Sequence, residues 1–228
     1  MKAPVPAHIK FAVLAADTAL FTVHNGELLV RLIRVERLPH FPNNPGLPGG
    51  LLLPTETAEA AAQRHIAEKT GIAKEKIYFE QLATFSGIER DPRGRVVAVA
   101  YLALVPWEKL SEQEQANSAK TYWQPVGRSH KLAYDHDEIL AAAIVRLHSR
   151  VTYTTLLQKL MPKEFTLTEL EHAYKSILGT SLDKRNFRKK ILKLNILTPL
   201  SSKRVGGRFL PAQLYRFASE KVKDIEVL

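Results

Sequence analysis

The hydrophobic positions come first in runs of β-forming residues. Residues 9–15, 19–23 and 28–35 are such runs, and Asn25-Gly26 between the second and third is a strong hairpin signal. Residues 77–85 and 96–105 read as a further pair of strands around a polar loop, 89–95. Between these groups, residues 38–54 read as loop, with prolines at 39, 42, 45, 48 and 54 and glycines at 46, 49 and 50. Helical spacing appears in two places. An alanine-rich helix runs from about residue 56 to 70, where Gly71 stops it. A second helix reaches about residue 150 with Ile139, Leu140, Ala143, Ile144 and Leu147 on one face, and Asp135 or Asp137 is placed to cap it.

Beyond residue 150 the pattern becomes mainly helical. A short helix over 153–161 is ended by Pro162. Thr166 and Glu169 have the spacing of a capping box, in which each side chain satisfies the other residue's backbone N–H, and Phe165 and Leu170 flank it as a staple. The helix they start turns Tyr174, Ile177 and Leu178 inward and stops at Gly179. Asp183 then caps a further helix over 184–194. Residues 196–198 and 213–217 read as short strands, with 199–211 between them as a wing. Two helices joined by a tight turn and followed by a wing make a winged helix-turn-helix. The expected fold class is therefore α+β in two parts, residues 1–150 and 151–228.

Charge sharpens this division. Of a net +10, residues 1–148 hold 17 Lys and Arg against 16 Asp and Glu, whereas residues 149–228 hold 16 against 7. A basic block attached to a neutral domain suits either a polyanion partner or a solvated basic face, and charge alone leaves the two even, so the motifs decide. The absence of cysteine excludes disulfides and thiolate metal sites, and fits a reducing, cytoplasmic compartment. No apolar run reaches the roughly 18 residues that a membrane helix needs. The apolar start is interrupted by Asp17 and has no small-residue cleavage site, so it reads as strand rather than signal peptide.

The helix from Asp183 to Lys193 carries the case for DNA. Phe187, Ile191 and Leu194 form its buried stripe, while Arg185, Asn186, Lys189 and Lys193 project on the other side. Arg and Asn are the residue types that read guanine and adenine edges in the major groove. Lys184, Arg188 and the other basic residues suit phosphates, which position a protein without specifying sequence. Lys203, Arg204 and Arg208 on the wing are placed to reach an adjacent groove or backbone. The partner expected from these residues is double-stranded DNA, and a basic surface helix of an ordinary small domain is the alternative.

In the first part, Gly50, Glu56, Arg64, Ile66, Glu68, Gly71 and Ile72 resemble the Nudix box, G-x5-E-x7-R-E-U-x-E-E-x-G-U, over 23 consecutive residues, and Leu47-Pro48-Gly49 before them also fits. The resemblance implies an α/β/α sandwich and a site for a nucleoside diphosphate linked to another group. Active Nudix hydrolases hold divalent metal with glutamates at three box positions, which here are His65, Glu68 and Lys69. Hard cations need oxygen ligands, and a lysine at such a position pairs with Glu68 or repels the metal. No catalytic residue, resident metal or cofactor is therefore expected, with residual hydrolysis through Glu56, Glu68 and another acid as the alternative. His65 and Lys69 also read as solvent-facing drift on a helix kept for packing. Arg90, Arg93 and Arg95 suit a diphosphate, but on the residues alone a solvated hairpin tip is the simpler reading.

Taken with Leu132-Ala133-Tyr134-Asp135-His136 and Leu214-Tyr215-Arg216-Phe217, these motifs resemble the Nudix-related transcriptional regulators of the NrtR type along almost the whole chain. The resemblance implies a repressor that is a homodimer on a palindromic operator and is released when a small-molecule effector such as ADP-ribose fills the old catalytic pocket. Gly49, Gly50, Glu56, Arg64, Glu68, Arg90, Arg93 and Arg95 are the candidate effector contacts. Related members regulate sugar utilisation, so a sugar or phosphosugar effector is an alternative, as are a Nudix hydrolase with residual activity and an RNA-binding Nudix protein. Effector action is expected as a population shift between dimer arrangements, moving residues 135–161. Two recognition helices must meet one duplex at a spacing that is a multiple of roughly 34–36 Å.

Overall fold

The computed structural model of the chain describes residues 12–128, 131–204 and 211–225. The first part is a mixed sheet between helices. Strand β1 (Val13–His24) turns through Asn25 and Gly26, both at positive φ, into the antiparallel β2 (Glu27–Arg37). β1 also runs parallel to β6 (Val96–Leu104) in continuous register from Val13↔Val96 to Phe21↔Leu104. β5 (Tyr78–Phe85) pairs with the far edge of β6. β3 (Phe41–Gly46) pairs with the end of β2, β4 (Gly49–Leu51) with the start of β1, and β7 (Thr121–Pro125) with the start of β2.

The central strands are apolar on both faces because both faces are covered. On β1, Ala16 and Leu20 point toward helix α1 (Ala58–Thr70), while Ala19 and Phe21 point toward helix α3 (His136–Tyr153). On β6, Tyr101 and Ala103 face α1, and Ala100, Leu102 and Leu104 face α3. α1 is capped by Thr57, whose hydroxyl accepts from the Ala60 N–H at 3.2 Å, and ends on a left-handed Gly71. Its Ala61 and Ala62 are fully buried, and their small size lets the helix backbone lie close to the sheet. A one-turn helix, α2 (Glu112–Gln115), precedes β7.

The second part begins with a 3-10 turn, Leu156–Lys159, and the two-residue strand β8 (Phe165–Thr166). α4 (Leu167–Leu178) opens on the Thr166–Glu169 capping box and closes on left-handed Gly179. α5 (Lys184–Lys193) opens on Asp183, which accepts from the Asn186 N–H at 2.7 Å. β9 (Leu197–Arg204) and β10 (Ala212–Phe217) complete a three-stranded sheet in the order β8-β10-β9. This is the winged helix, and the tip of the wing, with Arg208, lies outside the described residues.

Several expectations are corrected. Residues 38–54 contain β3 and β4 rather than loop alone. β3 is an edge strand, where Pro42 and Pro45 remove no interior ladder bond. The two expected strands before His24 are one, and residues 9–11 of the first lie outside the described residues. The helix expected over 153–161 is the end of α3 followed by the 3-10 turn. α3 continues past residue 150, and one hydrophobic cluster runs from Phe21, Val30 and Leu102 through Leu147 and Leu157 to Phe165, Tyr174 and Phe187. β9 also takes up part of the expected wing, as far as Arg204.

Candidate functional site

A cleft of about 670 Å³ opens between β2, β4 and the last turns of α1. Its walls bring together Gly49, Gly50, Glu68, Arg90 and Arg93 from the sequence reading, with His65 and Lys69 at the two altered box positions. Glu56, Arg64 and Arg95 do not line it. The glycines are required by close approach: a Cβ on Gly49 would fall 2.1 Å from the Asp17 carboxylate, and one on Gly50 would fall 2.6 Å from the His65 ring.

Behind the cleft, Arg64 forks onto Glu56 at 3.0 and 2.5 Å and reaches Glu68 at 3.2 Å. The bonds from Arg64 and from the Leu53 N–H hold the Glu56 carboxyl down at about 2. Glu56 and Arg64 therefore brace the turn before α1 against the helix. Arg95 donates to the Ser86 and Gly87 carbonyls at 2.8 and 3.0 Å, closing the loop between β5 and β6.

His65 is buried rather than solvent-facing, and its Nε2 donates to the Leu51 carbonyl at 3.1 Å. Burial pushes its pKa down, toward a neutral ring. Lys69 does not pair with Glu68; its ammonium crosses to donate to the Gly49 carbonyl. The three box positions thus offer a committed imidazole, a carboxylate held by Arg64, and an ammonium. A divalent metal requires converging oxygen donors, and this set does not fit one. Among the described residues, no group of three His, Asp or Glu converges to hold a metal ion.

The floor is a buried polar network. Asp17 on β1 accepts from Arg90 Nη2 at 3.2 Å and lies 3.6 Å from His136 Nε2. The Leu47 N–H donates to His136 Nδ1 at 2.9 Å, which leaves Nε2 as the protonated nitrogen facing Asp17. Burial works against the Asp17 charge, but His136 and Arg90 overcome it and hold the carboxyl below its usual range. Arg90 is itself buried and also forks onto Asp135 at 2.7 and 2.6 Å. Asp135 precedes α3 but makes no side-chain cap bond, since its carboxylate serves Arg90; Asp137 accepts from the Leu132 N–H at 3.0 Å instead. Arg90 is a positioning residue that ties the cleft to the start of α3, while Arg93 binds Asp91 and lies over the Tyr134 ring.

Arg34, Arg37, Lys120 and Tyr134 also line the cleft, and the sequence reading missed them. Arg34 and Arg37 are outward-facing residues at the end of a strand, with no local signal. Tyr134 stood only among the family markers; it has a φ of 57° and packs against Phe41 at 4.5 Å. A cleft in which cations outnumber carboxylates, with one aromatic wall, suits a phosphorylated aromatic ligand.

On the winged helix, Phe187 packs edge-on against Tyr174 at 5.3 Å, and Ile191 is fully buried. Lys184, Arg185, Asn186, Lys189 and Lys193 are exposed on the outer face of α5, joined by Lys190, which the sequence reading did not single out. Arg188 is half-buried and donates to Thr168 at 2.8 Å, so it fixes α5 to the start of α4. Lys203 and Arg204 are exposed on β9, where Arg204 pairs with Glu169.

The comparisons agree with both parts. The NUDIX domain model matches residues 14–143, and the NrtR DNA-binding winged helix domain model matches residues 157–217. An ADPR responsive transcriptional repressor of Acinetobacter baylyi is 37% identical over 209 residues, covering 90% of this chain and 82% of its own length. The structure of Shewanella oneidensis NrtR complexed with a 27mer DNA superposes with a TM-score of 0.78 at 32% identity, covering 90% of this chain and 93% of that one. The NUDIX domain of the same Shewanella protein, complexed with ADP ribose, superposes with a TM-score of 0.53 at 33% identity over 63% of this chain and 94% of that one.

Proposed function

The chain belongs to the NrtR-type Nudix-related transcriptional regulators, and from that premise we propose that it is a repressor that binds operator DNA through α5 and the wing and is released when ADP-ribose fills the cleft. The observation that carries the reading is the buried Asp17–Arg90–Asp135 network, which joins the cleft to the first residues of α3. α3 leads directly into the winged helix, and its core residues are continuous with those of α4 and α5. A ligand that rearranges the cleft therefore acts on the helix that carries the DNA-binding unit. The effector must favour one arrangement over the other to shift the population.

The division of labour follows residues 1–150 and 151–228, with the last turn of α3 shared between them. The working form is a homodimer on a palindromic operator, because one α5 reads only one half-site. The cleft binds without hydrolysing: the committed His65, the braced Glu68 and the ammonium of Lys69 leave no carboxylate set to activate water. Among the described residues no helix is long and apolar enough to cross a membrane.

Fluorescence anisotropy with duplex DNA from the gene's own upstream region, at two salt concentrations and with and without ADP-ribose, tests the reading. Sequence-dependent binding that falls steeply with salt and is lost with ADP-ribose is the expected result. Specific binding indifferent to ADP-ribose would overturn the effector assignment in favour of a sugar or phosphosugar. Absence of specific binding to that region and to selected genomic fragments would overturn the regulator.

A further inference from the structure

Lys69 stands on the last turn of α1, at a box position where the Nudix resemblance implies a glutamate, and its ammonium reaches 20 residues back along the chain to the Gly49 carbonyl. Among the described residues it has no ion-pair partner within 4.0 Å, although Glu68 beside it is held by Arg64. Desolvation in the cleft lowers its pKa, and Asp17 and Glu68 only partly offset this. Desolvating an ammonium that has no ion-pair partner is costly. It has three donors, and the Gly49 carbonyl takes one of them.

A carbonyl oxygen on a cleft wall is the kind of ligand a hard cation takes. Here a fixed ammonium takes it, in a cleft where Glu68 faces Arg64 and His65 faces the Leu51 carbonyl. Building on the effector reading above, we propose that Lys69 is a resident cation for the effector's diphosphate, so that the cleft binds a nucleoside diphosphate without a divalent metal ion. The single charge replaces both a metal ligand and the metal. It neutralises the phosphates as a point charge, and no attacking water is activated in doing so. One consequence is that effector sensing is independent of the free Mg²⁺ concentration.

The test is isothermal titration calorimetry of ADP-ribose and, separately, inorganic pyrophosphate, each in excess EDTA and in Mg²⁺, on the full chain, Lys69→Arg and Lys69→Gln. Thermal melts confirm that the variants are folded. The expected result is wild-type affinity equal in the two buffers to within about 2-fold, a loss of about 10- to 100-fold in Lys69→Gln, and substantial retention in Lys69→Arg. Binding that requires Mg²⁺, or Lys69→Gln binding like wild type, would overturn the inference and leave the effector reading standing. Metal-free, Lys69-dependent binding of pyrophosphate without binding of ADP-ribose would support the inference and overturn only the choice of effector. Failure of both ligands to bind in both buffers would overturn the two together.

Discussion

Arg90 and Asp135 are 45 residues apart in the sequence and share two hydrogen bonds at 2.7 and 2.6 Å. Neither residue announces this contact. Arg90 reads as one of three arginines on a polar loop, and Asp135 reads as a helix cap. On β1, Asp17 meets the same guanidinium at 3.2 Å. Removing Asp17 leaves a buried guanidinium with one carboxylate instead of two. Asp17→Asn is expected to destabilise the protein by about 3 kcal/mol at neutral pH. Because the Asp17 carboxyl is held below its ordinary value of 3.8, the stability it contributes is present above that value and is lost as pH falls through the lower folded-state value. Urea unfolding of wild type and variant should show the gap narrowing as pH drops from about 5 to about 2. A gap independent of pH would mean that the Asp17 charge does not stabilise the fold.

At the scale of elements, α5 was legible because its two faces differ so sharply. Phe187 and Ile191 are buried while Arg185, Asn186 and Lys189 are exposed, as the helical spacing requires. The two kinds of exposed residue make different predictions. Arg185→Ala should weaken operator binding by about 1–3 kcal/mol and relax the preference at one base position. Lys189→Ala should weaken all sequences alike and reduce the slope of log affinity against log salt by about 1. Equal effects on specific and non-specific DNA from both changes would mean that α5 contacts only the backbone. Arg188 shows the limit of reading a basic helix by composition, since its partner is Thr168 at 2.8 Å. β3 shows the limit of reading prolines, since Pro42 and Pro45 are acceptable on an edge and would not be in the middle of the sheet.

At the scale of the whole molecule, the order of the parts and the concentration of positive charge at the C-terminal end were legible from the sequence. The box residues of α1 were legible as a constellation, but not what they touch. His65 and Lys69 depart from the Nudix pattern, yet only the fold reveals that His65 is buried against Gly50 and that Lys69 reaches Gly49. The continuity of the core from sheet to winged helix was not legible either, because a change of charge at residue 149 suggests a boundary while Leu147, Val151 and Leu156 pack straight across it. That continuity makes the cleft and α5 parts of one packed body, which is the basis for coupling between them. Coupling is reciprocal: if ADP-ribose weakens DNA binding by some factor, DNA must weaken ADP-ribose binding by the same factor. The most direct measurement is therefore the affinity for ADP-ribose of the free protein and of the protein saturated with operator DNA. The account predicts weaker binding on DNA, by a factor equal to the loss of DNA affinity measured with saturating ADP-ribose; equal affinities in the two states would contradict it.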